Sequence, residues 1–308
     1  MIEDLLSATI RVATPLIIVA MGSIICERVG VLNVATEGFM IFGAFFGIFG
    51  VYATQSPILG AILGIVVCGF VSLVFIFLIE YFHTEPIITA LGFNTFATGL
   101  TALLMNIFFS EQGAMSSERI TGFPRINILL FKNNIALNTI FNNHTILTFV
   151  APLLVIVFHF ILYKTHLGIK MRAVGENPMS ATVAGISTKK YHILGVLASG
   201  FLGGLAGVHI SLGYVNLFTK GMIAGRGFMA FAAVIFGKGD PLSVLAVCIV
   251  YALAESIAIR SQNFGVPSPL VSMLPYILTI LALFVRKDML TNSINSIKGL
   301  MKKKAQDN

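Results

Sequence analysis

Apolar runs of about 20 residues, the length a helix needs to cross a hydrocarbon core of about 30 Å, follow one another along most of the chain. They fall at 7–26, 31–53, 57–79, 86–109, 146–163, 191–212, 219–236, 241–259 and 270–285, nine runs within a range of eight to ten. This pattern predicts an all-α fold, a polytopic bundle of transmembrane helices. The polar interruptions are short at 80–85 and long at 110–145 and 164–190. The runs also carry groups that a lipid anchor would avoid: Asn33, Thr36 and Glu37 in the second, Asn94 and Thr95 in the fourth, His159 in the fifth and Glu255 in the eighth. Polar side chains are costly at membrane depth, so they face protein or a water-filled path. Glycines inside the runs (Gly43, Gly47, Gly50, Gly200, Gly203, Gly204, Gly207) let helix backbones approach closely, which points to dense packing.

Composition agrees: 56% of residues are hydrophobic, mean hydropathy is +0.92, and only 11% are charged, against roughly 25% in soluble domains. An ordinary soluble globule is excluded. The net charge of +7 is local, because residues 164–190 hold five Lys/Arg against one Glu and residues 286–308 hold six against two Asp, leaving −1 elsewhere. Positive segments stay on the cytoplasmic side. A nucleic-acid binder would need an accessible basic domain, and none of that size is present. With the acidic N-terminus outside, alternation puts 80–85, 164–190, Lys238 and the tail inside and the near-neutral loop 110–145 outside; an extra half-span near 31–40 would reverse the N-terminus. Glu3 and Asp4 stand where a signal peptide would be basic, so the first run stays as a span. The division expected is a permease domain over 1–290 and a basic cytoplasmic tail over 291–308. Cys26, Cys68 and Cys248 offer no disulfide framework or metal-ligand spacing.

One internal similarity stands out. GVLNVATEGFM (30–40) and GYVNLFTKGMI (213–223) share Gly30/Gly213, Asn33/Asn216, Thr36/Thr219 and Gly38/Gly221. The segments enter from opposite sides, as an inverted repeat requires; chance similarity is the alternative. No phosphate loop, H-E-x-x-H or G-x-S-x-G occurs, so the chain does not hydrolyse ATP by itself and a membrane enzyme is poorly supported. Its histidines read as solvated or packed. The segment LGIKMRAVGENPMSATVAGISTKKY (167–191) is the most telling: Asn177-Pro178 starts a short helix whose small, weakly polar surface suits docking into a partner's groove.

RAVGENPMSATVAGIS closely resembles the coupling segment of bacterial ABC importer permeases related to the ribose and branched-chain amino-acid systems. ERVGVLNVATEGFM, GRGFMAFAAVIFGKGDPL and FGVPSPLVSMLPYILTILAL resemble the nucleoside branch that works with basic-membrane-protein lipoproteins, and the likeness runs from about 12 to 286. It implies the type II importer fold, a second homologous permease forming a heterodimer, a separate ABC ATPase, a substrate-binding lipoprotein, and no cofactor in this chain, since the ATPase uses the ATP. It makes Gly175, Glu176, Asn177, Pro178, Ala181 and Gly185 the ATPase-coupling residues. For the substrate pathway it offers Asn33, Thr36, Glu37 and Asn94, with Asn216 added by the repeat. Glu37 has a structural alternative, pairing with Arg11, Arg226 or a buried hydroxyl, and Arg226 reads as a helix-end or interface residue. The substrate expected is a nucleoside; a ribose-like sugar, riboflavin, or proton-coupled secondary transport through Glu37, His159, His209 or Glu255 stay open. The implied location is the bacterial cytoplasmic (inner) membrane.

Overall fold

The computed structural model describes residues 2–109, 114–116, 119–126, 142–261 and 273. Seven described helices are long and apolar enough to cross a membrane. They are α1 (Ile2–Arg28), α2 (Thr36–Thr54), α3 (Pro57–Phe82), α4 (Pro86–Phe109), α5 (Ile146–Lys164), α8 (Thr188–Ile210) and α10 (Pro241–Ser261). Two short helices lie between α5 and α8: α6 (His166–Glu176) and α7 (Pro178–Val183). The run at 219–236 resolves into a turn-rich segment followed by α9 (Arg226–Phe236), whose 11 residues extend only about 16 Å. That is half a bilayer core, so the run was apolar enough for a span but is too irregular to be one. The expected ninth span, 270–285, and the basic tail lie outside the described residues. Backbone contacts divide the chain into Met1–Ser256 and Ile257–Asn308; of the second unit the described residues are the end of α10, 257–261, and Met273.

In the first unit α8 is the axis, packed along α1, α2 and α3. Glycine makes this possible. A Cβ on Gly43 would meet the Cα of Gly204 at 2.6 Å, and one on Gly207 would overlap the Met40 carbonyl and lie 2.8 Å from the Ala44 nitrogen. With little hydrophobic gain for helix association in lipid, such backbone proximity supplies the packing. Around it, Phe93 of α4 meets Phe39 and Phe42 of α2 at centroid distances of 5.3 and 5.9 Å in edge-to-face geometry, and Phe75 of α3 at 5.6 Å.

Helical order is interrupted at two places next to candidate spans. α1 ends in a Schellman motif: Gly30 has φ +84°, its N–H bonds Glu27 O and that of Val31 bonds Cys26 O, which satisfies carbonyls that the helix end would orphan. The chain then runs non-helically to Thr36. The second break follows α8, which closes in a π-helical turn (Ser211–Val215). Beyond Asn216 at φ +52°, β4 (Phe218–Thr219) pairs antiparallel with β1 (Ala114–Met115), and turns lead to α9. A second two-residue ladder joins β2 (Arg125–Ile126) to β3 (His144–Thr145). The order helix, break, helix thus occurs twice. The eleven-residue register does not share one conformation, because Thr36 opens a helix and Thr219 is in a strand.

Candidate functional site

The first break is largely buried, and side chains satisfy its backbone, as buried irregular backbone requires. Asn33 is buried, accepts the Ala35 N–H at 3.0 Å and donates to Ser199 Oγ at 3.0 Å. Asn94 reaches from α4, donating to Val34 O at 3.0 Å and accepting the Gly38 N–H at 2.8 Å. Thr36 donates to Gly227 O at 3.2 Å. The carboxylate of Glu37 accepts the N–H groups of Gly225 and Gly227, at 3.0 and 2.8 Å. The starts of α2 and α9 therefore meet, and Glu37 lies where both helix ends are partly positive. Its partners are backbone amides rather than a guanidinium hydrogen bond. Arg226, the first residue of α9, pairs with Glu255 of α10 instead.

Against this junction is a cavity of about 500 Å³ bounded by α2, α4, the segment 218–224 and α9; ligand sites typically span roughly 300–1,000 Å³. Glu37 and Asn94 line it, with Thr95, Thr98 and Thr101 along α4 and with Phe218 and Phe228. Lys220 also lines it. Thr98 and Thr101 donate their hydroxyls to Asn94 O and Ala97 O at 2.9 and 2.8 Å, so their oxygens are left to accept. Asn33 and Thr36 are buried behind the wall, and exposed Asn216 is at the turn after α8; none of the three lines the cavity. The sequence singled out Thr95 alone; Thr98 and Thr101 were missed, although their spacing of three and six residues from it puts them on the same face of α4. His209 is packed, its Nδ1 3.4 Å from Thr145 Oγ1; His159 sits 3.8 Å from Asp240.

The segment 164–190 folds as two helices at a corner. Asn177 caps α7 by accepting the Ser180 N–H at 2.9 Å, Pro178 occupies its first turn, and Gly185 at φ +79° ends it with the Ile186 N–H bonded to Ala181 O. Ala181 is buried, Glu176 is exposed, and Met179 and Val183 are 81% and 85% exposed. Gly175 lies against the end of α1: a Cβ there would overlap the Arg28 carbonyl and lie 3.1 Å from Gly30 N. Spacing gave no sign of that contact. Arg28 in turn holds the end of α9 through Lys238 O and Gly239 O, at 2.9 and 3.1 Å. It also reaches Tyr163, over whose ring Arg172 lies at 5.2 Å. Beside them, burial would raise the Asp240 carboxyl, but the Ser243 N–H and hydroxyl, with Tyr163 and His159, hold it below the usual carboxylate range.

The family described as branched-chain amino acid transport system / permease component matches residues 5–283. The chain belongs to this family and is a multi-pass membrane permease of the ABC transporter class. It is 31% identical over 302 residues to the nucleoside ABC transporter permease protein NupC of Lactococcus lactis subsp. cremoris, covering 93% of this chain and 94% of that one. It is 32% identical over 287 residues to the guanosine ABC transporter permease protein NupQ of Bacillus subtilis, covering 90% and 89%. It is also 33% identical over 304 residues to the putative glucose ABC transporter permease protein TsgC13 of Haloferax volcanii, covering 91% and 90%. No solved structure matches the chain.

Proposed function

We propose that this chain is the membrane subunit of an ATP-driven importer for nucleosides, working in the bacterial cytoplasmic membrane. A binding lipoprotein delivers the substrate, a second homologous permease completes a heterodimeric path, and a separate ATPase docks on α7 and uses the ATP. No cofactor acts in this chain. The observation that carries the reading is the 500 Å³ cavity, whose lining combines hydroxyl acceptors along α4 with Phe218 and Phe228. That pairing suits a ligand with hydrogen-bond donors and a flat aromatic face. The names of the lactococcal and bacillar relatives point the same way. Proton coupling through Glu37 is disfavoured, because its carboxylate is already engaged by two backbone amides.

The haloarchaeal relative favours a second reading, a sugar substrate, since the threonine oxygens would also accept ribose-like hydroxyls. Uptake of labelled guanosine in a deletion strain, with adenosine, ribose, glucose and riboflavin as competitors, separates the two. Competition by adenosine but not by the sugars is expected. Competition by glucose or ribose alone would replace the nucleoside reading with the sugar one.

A further inference from the structure

The segment 217–222 separates the large cavity from a second one of about 310 Å³, lined from α1, the π-helical turn and the start of α9. Thr219 and Met222 line both. The second cavity is different in character. Val12, Pro15, Ile210 and Leu217 give it apolar walls; among the described residues that line it, Arg11, Arg226 and the phenol of Tyr214 are the ionisable groups, and none is a carboxylate.

Its polar groups are unfinished. Arg226 donates to Glu255 and to Met222 O, yet its Nε is buried without a partner among the described residues. The buried hydroxyl of Tyr214 has none either. Arg11 forms no ion pair with a carboxylate among the described residues. Arg11 and Tyr214 also line a void of about 10 Å³ with Arg125 and His144 beyond them, so three guanidinium groups surround one phenol. Glu255 neutralises one of the three.

A buried donor without an acceptor is costly, and an unpaired cation in a membrane domain costs more. The groups left over, the Arg11 fork, Arg226 Nε and the Tyr214 hydroxyl, can all donate, and convergent charged donors are the chemistry that holds an oxyanion. We propose that this second cavity binds an oxyanion carried on an apolar body, a carboxylate or phosphate ester whose hydrocarbon part fills the apolar walls. The proposal concerns a cavity other than the one on which the transport reading rests, so each can fail without the other.

The ligand can come from the bilayer, as an anionic lipid, or from solution, as an amphiphilic acid. The test uses the full-length chain purified in detergent, with tritiated octanoate as the soluble probe and phosphatidylglycerol, against phosphatidylcholine, as the lipid probe. Saturable octanoate binding is expected, weakened at least tenfold by Arg11→Gln and about fivefold by Tyr214→Phe, with Arg11→Lys between wild type and Arg11→Gln. Displacement of octanoate by phosphatidylglycerol assigns the site to lipid; displacement by neither lipid assigns it to a soluble acid. Circular dichroism checks that the variants are folded, and Tyr214→Phe decides if Arg11→Gln is not. Saturable binding of neither probe, or binding indifferent to the substitutions, would overturn the proposal.

Discussion

The carboxylate of Glu37 accepts the backbone N–H of Gly227 at 2.8 Å, so an acid on α2 closes the start of another helix, α9. The approach is close enough that a Cβ on Gly227 would lie 2.6 Å from the Cα of Glu37. Glu37→Ala would orphan the Gly225 and Gly227 amides in the membrane, at a cost of about 3 kcal/mol. Glu37→Gln keeps one acceptor but turns an amide donor toward them, costing about 2 kcal/mol. Both variants are expected to unfold at lower temperature in detergent, with uptake falling in parallel. Lost uptake with unchanged unfolding would instead make Glu37 a substrate contact.

The second relationship bears on the coupling proposed for α7. Gly30, at φ +84°, faces Gly175, and a Cβ on Gly30 would lie 3.3 Å from the Gly175 Cα. Displacement of the α6–α7 corner therefore bears on the turn that leads through Asn33 to Glu37 and the cavity. In the assembled transporter, Gly175→Val is expected to leave ATP hydrolysis within about twofold of wild type while uptake falls tenfold or more, about 1.4 kcal/mol. Glu176→Ala and Pro178→Ala, at the corner itself, are expected to uncouple in the same sense. Measuring both rates on one proteoliposome preparation checks this. Proportional loss of the two would mean that the contact serves assembly only.

Much of this was legible in the sequence, and the reason is physical. A 20-residue apolar run has few alternatives to a span, and asparagine, threonine and glutamate within one must be partnered, so Asn33, Thr36, Glu37 and Asn94 could be singled out without a structure. Their partners could not. Glu37 answers to backbone amides 188 and 190 residues away, and an amide leaves no mark in composition. The half-length α9 was hidden for a related reason: Gly221, Ala224 and Gly225 adopt positive φ inside a run whose hydropathy is that of a span. Asn216 shows the limit of local similarity, since its match to Asn33 did not carry over into burial or partners.

Packing along α8 gives a sharper stability test than the cavity does. Gly207→Leu would drive a side chain into the Met40 carbonyl and the Ala44 nitrogen, where backbone cannot yield. Overpacking typically costs 1–3 kcal/mol, and contact with backbone at several points puts this case at about 3 kcal/mol or beyond. Gly92→Ala, where a Cβ meets nothing within 4 Å, is the control. Detergent-extracted yield and monodispersity are expected to collapse for the first and to hold for the second.

The threonines of α4 make a demand on the ligand itself. Because Thr98 and Thr101 spend their hydroxyl hydrogens on Asn94 O and Ala97 O, they present acceptors to the cavity, and a substrate must supply donors to use them. Guanosine has ribose hydroxyls and ring N–H groups for this. Its 2′,3′-di-O-methyl derivative keeps the base but loses two donors, and each hydrogen bond is worth about 1 kcal/mol. The derivative is therefore expected to compete for uptake about thirtyfold more weakly than guanosine, about 2 kcal/mol in all. Thr98→Val and Thr101→Val preserve shape while removing the acceptors, so in those variants the two competitors should converge. If the derivative competes equally well in the wild type, the α4 hydroxyls do not read the ribose, and recognition by this cavity would have to rest on the base and the Phe218 and Phe228 rings.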